Sequence, residues 1–245
     1  MDGIVICTKK GADMDLARSL AKKMDVPLVS EEGKELTICI DSKGVLLSGY
    51  GLTYQGDFDS MTRRVTEGRL LHEMLVKAVK TDTPNPKAID ATAGMGEDSF
   101  LIAAAGYQVT LQEQNPVIAA LLKDAVRRGK KNSAIKDIVN RMSVVEGESA
   151  QILRSMIDEV DLIYLDPMFP SRQKSGLINK KLQLIQKLEP PCTDEHELFE
   201  AAISARPKKI VVKRPLKSPY LDGKEPNYQL KGKAIRYDCY IYDRT

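Results

Sequence analysis

From Ala88 to Lys213 the chain alternates short apolar runs with segments of helical periodicity, and this rhythm restricts the possible folds more than any other feature. Apolar runs ending at Asp90 and covering Gln108–Glu113, Met142–Glu146, Leu162–Leu165 and Lys209–Lys213 read as strands. Between them, Asp98–Ala105, Pro116–Arg128, Ala150–Ile157, Leu177–Leu188 and Glu195–Ala205 have the apolar spacing of helices. Strands separated by helices of this length are joined by right-handed crossovers, so the expected fold is α/β, a mainly parallel sheet with helices on both faces. The rhythm then breaks. Tyr228–Leu230 and Ala234–Tyr242, joined through Lys231-Gly232-Lys233, read as an antiparallel hairpin that finishes the sheet.

Residues 1–60 read as a small α/β unit, with a strand over Gly3–Thr8, a helix over Asp13–Met24 and a hairpin over Glu35–Ser48 turning at Ser42-Lys43-Gly44. Ser48–Arg64 reads as a loop and Glu67–Lys80 as an amphipathic helix, before Thr83-Pro84-Asn85-Pro86 punctuates the chain. The larger domain is expected over residues 61–245. No apolar run approaches the ~20 residues of a bilayer span, and the start lacks a basic segment followed by an apolar one. The expected compartment is the cytoplasm. Cys7, Cys39, Cys192 and Cys239 form no CxxC pair and His72 and His196 stand alone, so buried reduced thiols are expected and no metal site.

In a doubly wound sheet, ligands bind beyond the carboxyl ends of the strands. Four loops there carry suggestive residues. The first, Asp90-Ala91-Thr92-Ala93-Gly94-Met95-Gly96-Glu97-Asp98, lets backbone approach a ligand through Gly94 and Gly96. Glu97 and Asp98 would repel a pyrophosphate, which disfavours a nicotinamide dinucleotide; they suit a cationic ligand such as S-adenosylmethionine, with its amino group and sulfonium. The second loop starts at Glu113, 23 residues after Asp90, where a strand-end carboxylate holds ribose hydroxyls in nucleotide-binding folds. Gln114 beside it is a candidate to pack on or hydrogen-bond the adenine side, and Glu148 and Ser149 in the third loop offer polar groups to an adenine edge.

The fourth loop is the most specific. Asp166-Pro167-Met168-Phe169-Pro170 resembles the Asp/Asn-Pro-Pro-aromatic signature of enzymes that methylate exocyclic amines of bases. An aryl amine delocalises its lone pair into the ring. A site that accepts its N–H hydrogens, through the Asp166 carboxylate and the Pro167 carbonyl, frees that lone pair for attack on a methyl group. The Phe169 ring would stack on the base.

Together with this loop, Asp90-Ala-Thr-Ala-Gly-Met-Gly, Glu113-Gln-Asn-Pro-Val, Lys174-Ser175 and Val211-Val-Lys-Arg-Pro resemble the RsmJ-type methyltransferases, over about Gly51 to Thr245. The resemblance implies a class I (Rossmann-like) methyltransferase sheet, S-adenosylmethionine as cofactor, and the N2 amine of a guanine in small-subunit (16S) ribosomal RNA as target. It also implies cofactor contacts at Glu97, Asp98, Glu113, Gln114, Glu148, Ser149 and Asp166. This chain departs from the family at Glu97 and Gln114, where Arg is common, and at Glu148, where a small residue is common.

Charge is uneven along the chain. Residues 1–60 hold seven basic against ten acidic residues, 61–165 hold 14 against 14, and 166–245 hold 16 against 10. The surplus starts at Asp166, so Arg172, Lys174, Lys213 and Arg214 are the expected contacts for RNA phosphates, with Arg63 and Arg64 extending that surface. The competing expectations are a related enzyme acting on adenine N6 or on a protein glutamine, and an RNA-binding module without activity.

Overall fold

The computed structural model describes residues 4–31, 36–66, 68–157, 159–167, 184, 188 and 195–242. Phe169, Arg172, Lys174 and nearly all of the helix expected over Leu177–Leu188 lie outside the described residues.

The first sheet contains β1 (Ile4–Thr8), β2 (Leu28–Val29), β3 (Leu36–Asp41), β4 (Gly44–Gly49) and β5 (Leu52–Tyr54), in the order β2-β1-β3-β4-β5. Its helix, Met14–Met24, is capped by the Asp13 carboxylate, which accepts from Leu16 N–H at 2.9 Å, and buries Ala17, Leu20 and Met24. The Asp41 carboxylate accepts from Lys43 N–H at 2.7 Å and Gly44 N–H at 3.1 Å, which turns β3 into β4. The expected loop over Ser48–Arg64 contains β5 and a 3-10 helix, Asp59–Arg64. β4 and β5 are joined by two residues, Tyr50 and Gly51, both at positive φ, the geometry of a type I′ turn. Tyr in place of the usual Asn or Asp hides that turn from the sequence.

The helix expected over Glu67–Lys80 is also broken. Only a 3-10 turn, Leu70–His72, and a short helix, Met74–Ala78, form, because Glu73 is extended at ψ 124°. Its carboxylate instead takes both arms of Arg64, at 2.7 Å each.

The second sheet contains β6 (Lys87–Asp90), β7 (Gln108–Glu113), β8 (Met142–Glu146), β9 (Leu162–Leu165), β10 (Lys209–Pro215), β11 (Tyr228–Lys231) and β12 (Ile235–Ile241). Its order is β11-β12-β10-β9-β6-β7-β8. β6 to β10 are parallel, while β12 runs antiparallel to both β10 and β11. The chain therefore winds outward from β6 through β7 and β8, returns to β9 and winds the other way. The reversal between β6 and β9 leaves a crevice beyond Asp90 and Asp166.

Alternation along β10 divides the two faces. Val211 packs with Leu162, Tyr164 and Cys239 against the Glu97–Ala104 helix, while Ile210 and Val212 pack with Ile163 and Leu165 against the Glu195–Ser204 helix. The two sheets share the Pro116–Gly129 helix. Val117, Ala120 and Leu121 join the core of the first sheet, and Leu122, Ala125 and Val126 join that of the second. Lys23, from the first unit, reaches Glu146 at the end of β8 at 2.6 Å. Among the described residues, no helix is long and apolar enough to cross a membrane.

Candidate active site

The loop after β6 is pinned to its neighbours by backbone bonds: Ala91 N–H donates to the Tyr164 carbonyl at 3.0 Å and Ala93 N–H to the Gln112 carbonyl at 3.1 Å. Gly94 and Gly96 sit at φ +51° and +77°, the left-handed region that an L side chain adopts at a cost. They differ in surroundings. A Cβ on Gly96 would come within 2.8 Å of Leu122 Cδ1, whereas one on Gly94 would meet nothing within 4 Å. Gly96 is packed and Gly94 faces open space.

Around this crest stand carboxylates from three strand ends and two helix starts. Asp90, 1% exposed, accepts from Thr92 N–H at 3.1 Å and from the Ser99 hydroxyl. Burial pushes its carboxyl up to about 7, against the pull of those two bonds and with a push from Asp98 and Asp166. Glu113 accepts from Gly94 N–H at 3.1 Å and Asn115 N–H at 2.7 Å, so the strand-end carboxylate holds the glycine crest directly. Glu97 is exposed beside the crest, and Gln114 is exposed beyond Glu113. Glu148 caps the Ser149–Arg154 helix, accepting from Ala150 and Gln151 N–H at 3.0 Å, and Ser149 donates its hydroxyl to the Ala91 carbonyl at 2.6 Å. Both shape the wall of the crevice through these bonds.

Asp166 follows β9, with Pro167 buried behind it. Its backbone N–H donates to Thr92 Oγ1 at 2.6 Å, which ties the fourth loop to the first. Its carboxylate takes Lys213 Nζ at 2.8 Å, and the same ammonium takes Asp98 Oδ2 at 2.8 Å. Tyr164 donates its hydroxyl to that Asp98 oxygen at 2.6 Å. Desolvation raises the Asp166 carboxyl above the ordinary carboxylate range; Lys213 pulls it back and Asp98 adds to the rise. Burial opposes the charge on Lys213, and the two carboxylates more than reverse that, holding the ammonium charged well above its usual range.

Two expected RNA contacts are therefore corrected. Lys213 is turned into the crevice, because its register beside Asp166 on the parallel pair of β9 and β10 gives both side chains one face. Arg214, one residue on, points to the opposite face. Its side chain is 3% exposed and bonds Glu195 at 2.9 Å and the Pro219 carbonyl at 3.1 Å. Arg64 is bound to Glu73, as described above. The residues that sequence reading missed are Thr92, Ser99, Tyr164 and Tyr237, the last opposite Lys213 on β12. Period-two alternation along β9 and β10 is the signal that places Tyr164 and Lys213 on the side of Asp166.

The expectation that His196 stands alone is also corrected: it meets Glu200 and Asp222 within 4.8 Å. Lys224 sits against Glu200 and 3.6 Å from Asp222, so a cation already faces both carboxylates of this surface cluster.

The family model described as "Putative SAM-dependent methyltransferase" matches residues 48–242. The chain belongs to this methyltransferase family. Ribosomal RNA small subunit methyltransferase J from Pseudomonas aeruginosa is 36% identical over 234 residues, covering 92% of this chain and 90% of its own. The protein of the same name from Thioalkalivibrio sulfidiphilus is 36% identical over 236 residues, covering 92% of each chain. The crystal structure of a SAM-dependent methyltransferase from Neisseria gonorrhoeae matches with a TM-score of 0.75 at 29% identity, covering 97% of this chain and 95% of that one. The sheet order found here is thus that of a class I methyltransferase. The site suits the cofactor of the family: Gly94 leaves room for a ligand, Glu113 fixes that glycine's backbone, and Asp98 and Glu97 offer negative charge to an amino group.

Proposed function

We propose that this protein transfers a methyl group from S-adenosylmethionine to the N2 amine of a guanine in 16S ribosomal RNA, in the cytoplasm. The observation that carries this reading is Asp166-Pro167 at the crevice between β6 and β9, with its carboxylate beside the crest where the cofactor would lie. The names and extent of the relatives support the choice of small-subunit RNA. When bound, the cofactor supplies an electrophilic methyl carried by a sulfonium.

The chain's own residues position and polarise. Glu113, Asp98 and Glu97 would hold the cofactor's hydroxyl and amino groups. Asp166 and the Pro167 carbonyl accept the two N–H hydrogens of the amine, which turns the nitrogen lone pair toward the methyl carbon and stabilises charge as it develops on nitrogen. The proton that finally leaves the nitrogen has Asp166 as its nearest acceptor. Arg172 and Lys174 follow this loop and would meet the RNA backbone.

Mass mapping of ribosomal RNA tests the reading. Cells lacking the protein are expected to lose one methyl group from a guanine of 16S RNA, restored by the wild-type chain and not by Asp166→Ala. Restoration by Asp166→Ala, or a methyl group lost from adenine or from a protein glutamine instead, overturns it.

A further inference from the structure

Among the described residues, Lys213 is the strand-end cation turned inward among the carboxylates of the crevice. Its ammonium lies 2.8 Å from Asp166 and 2.8 Å from Asp98, and Tyr164 completes the cluster through Asp98 at 2.6 Å. One positive charge between two negative ones leaves the cluster net negative, a poor seat for an RNA phosphate. The side chain is 25% exposed, so these contacts are only partly screened by water.

We propose that Lys213 is a positioning residue for methyl transfer: its ammonium holds the Asp166 carboxylate anionic and aimed, and ties it at fixed distance to Asp98 on the cofactor side. The inference rests on the reading of Asp166 as the acceptor for the target amine. An acceptor carboxylate in a recessed site has two failings. It tends to take up a proton, and a protonated carboxyl accepts poorly from an amine; and as a free rotor it seldom points at the target. A lysine bonded to one of its oxygens corrects both, leaving the other oxygen for the amine. It has a cost as well, since the same ammonium makes Asp166 a weaker base for the departing proton.

Several groups surround the cluster. Asp98 lies at the start of the Glu97–Ala104 helix, Tyr164 on β9, Asp90 on β6 and Tyr237 on β12, each coupled electrostatically to Asp166 or Asp98. Glu97, and the Arg64–Glu73 pair from the segment before β6, complete the surroundings. Lys213 is the cation in direct contact with Asp166.

The test is carbon-13 NMR titration of the aspartate carboxyl carbons in the full chain without RNA, with the Asp166 signal assigned through Asp166→Asn. In Lys213→Met, Asp166 is expected to titrate about 1–3 pH units higher, the usual effect of removing a contacting opposite charge; Lys213→Arg should keep it near the wild-type position. The acid limb of the kcat/KM profile for methyl transfer should move upward with it in Lys213→Met. If Lys213→Met does not fold, Lys213→Gln serves instead: it keeps a hydrogen-bond donor without the charge and should likewise raise the Asp166 titration. An unmoved Asp166 titration in the variant that folds overturns the proposal, as does activity lost equally at every pH. Because the carboxyl titration uses no substrate, it stands or falls separately from the identity of the methylated base.

Discussion

Asp90 carries a charge problem that its position in β6 makes measurable. Its carboxyl is raised from 3.8 to about 7 by burial, so between those values the folded chain keeps a proton that the unfolded chain has released. Stability therefore falls as pH rises through that window, by up to about 1.4 kcal/mol per pH unit, and levels off above it. Asp90→Asn carries no such proton. Urea midpoints from pH 5 to pH 8 should drop more steeply for the wild type than for the variant; parallel curves would refute this. At this scale the sequence was informative where a residue ends a strand. Asp90, Glu113 and Asp166 stand at the ends of strands that the sequence marks as apolar runs, so their places in the fold were legible. Lys213 was misread, since 47 residues separate it from Asp166 and only the pairing of β9 with β10 brings them together.

Among elements, the turn between β6 and the Glu97–Ala104 helix separates packing from binding at two neighbouring glycines. Gly96→Ala adds a methyl against Leu122 to the cost of a left-handed backbone, and is expected to lower stability by about 2–4 kcal/mol. Gly94→Ala meets open space, so only the backbone cost of about 1–2 kcal/mol remains, while the new methyl intrudes where the cofactor would lie. Calorimetric titration with S-adenosylmethionine should show the larger loss of affinity in Gly94→Ala, and denaturant unfolding the larger loss of stability in Gly96→Ala. The reverse order would place the cofactor elsewhere. Strands as short as Leu162–Leu165 were readable as apolar runs, and the Pro116–Gly129 helix by its 3.6-residue period. Two features set by local contacts were not. Tyr50-Gly51 forms a hairpin turn with an unusual first residue, and Glu73 breaks a helical pattern to reach Arg64, nine residues upstream.

For the whole molecule, net charge along the chain and charge on the surface are different quantities. Of the cations in the last third, Lys213 and Arg214 are turned inward, Arg236 is bonded to Asp238, and Lys208 and Lys224 are paired with Asp161 and Glu200. Among the described residues Lys217, Lys231 and Lys233 are exposed on this side, and the pairing of Ile235 with Pro215 puts the β11–β12 turn at the crevice end of the sheet. Replacing these three lysines by alanine is expected to weaken RNA binding and to flatten the plot of log affinity against log salt by about 0.7–0.9 for each phosphate they neutralise. An unchanged slope would remove this rim from the RNA path. A count of charge along the chain cannot separate buried from exposed cations, which depends on which face of each strand is covered.

β12 follows β11 in the chain yet lies between it and β10. As the chain leaves the ribosome, β11 emerges before the strand it pairs with, and β10 keeps an open edge until β12 arrives. Among the described strands β11 pairs with β12 alone, so it can join the sheet only with or after β12, which brings Tyr237 opposite Lys213. Synthesis thus delivers the glycine crest early and the wall of the crevice late, so a growing chain can own a complete glycine turn well before it owns the strands beside it.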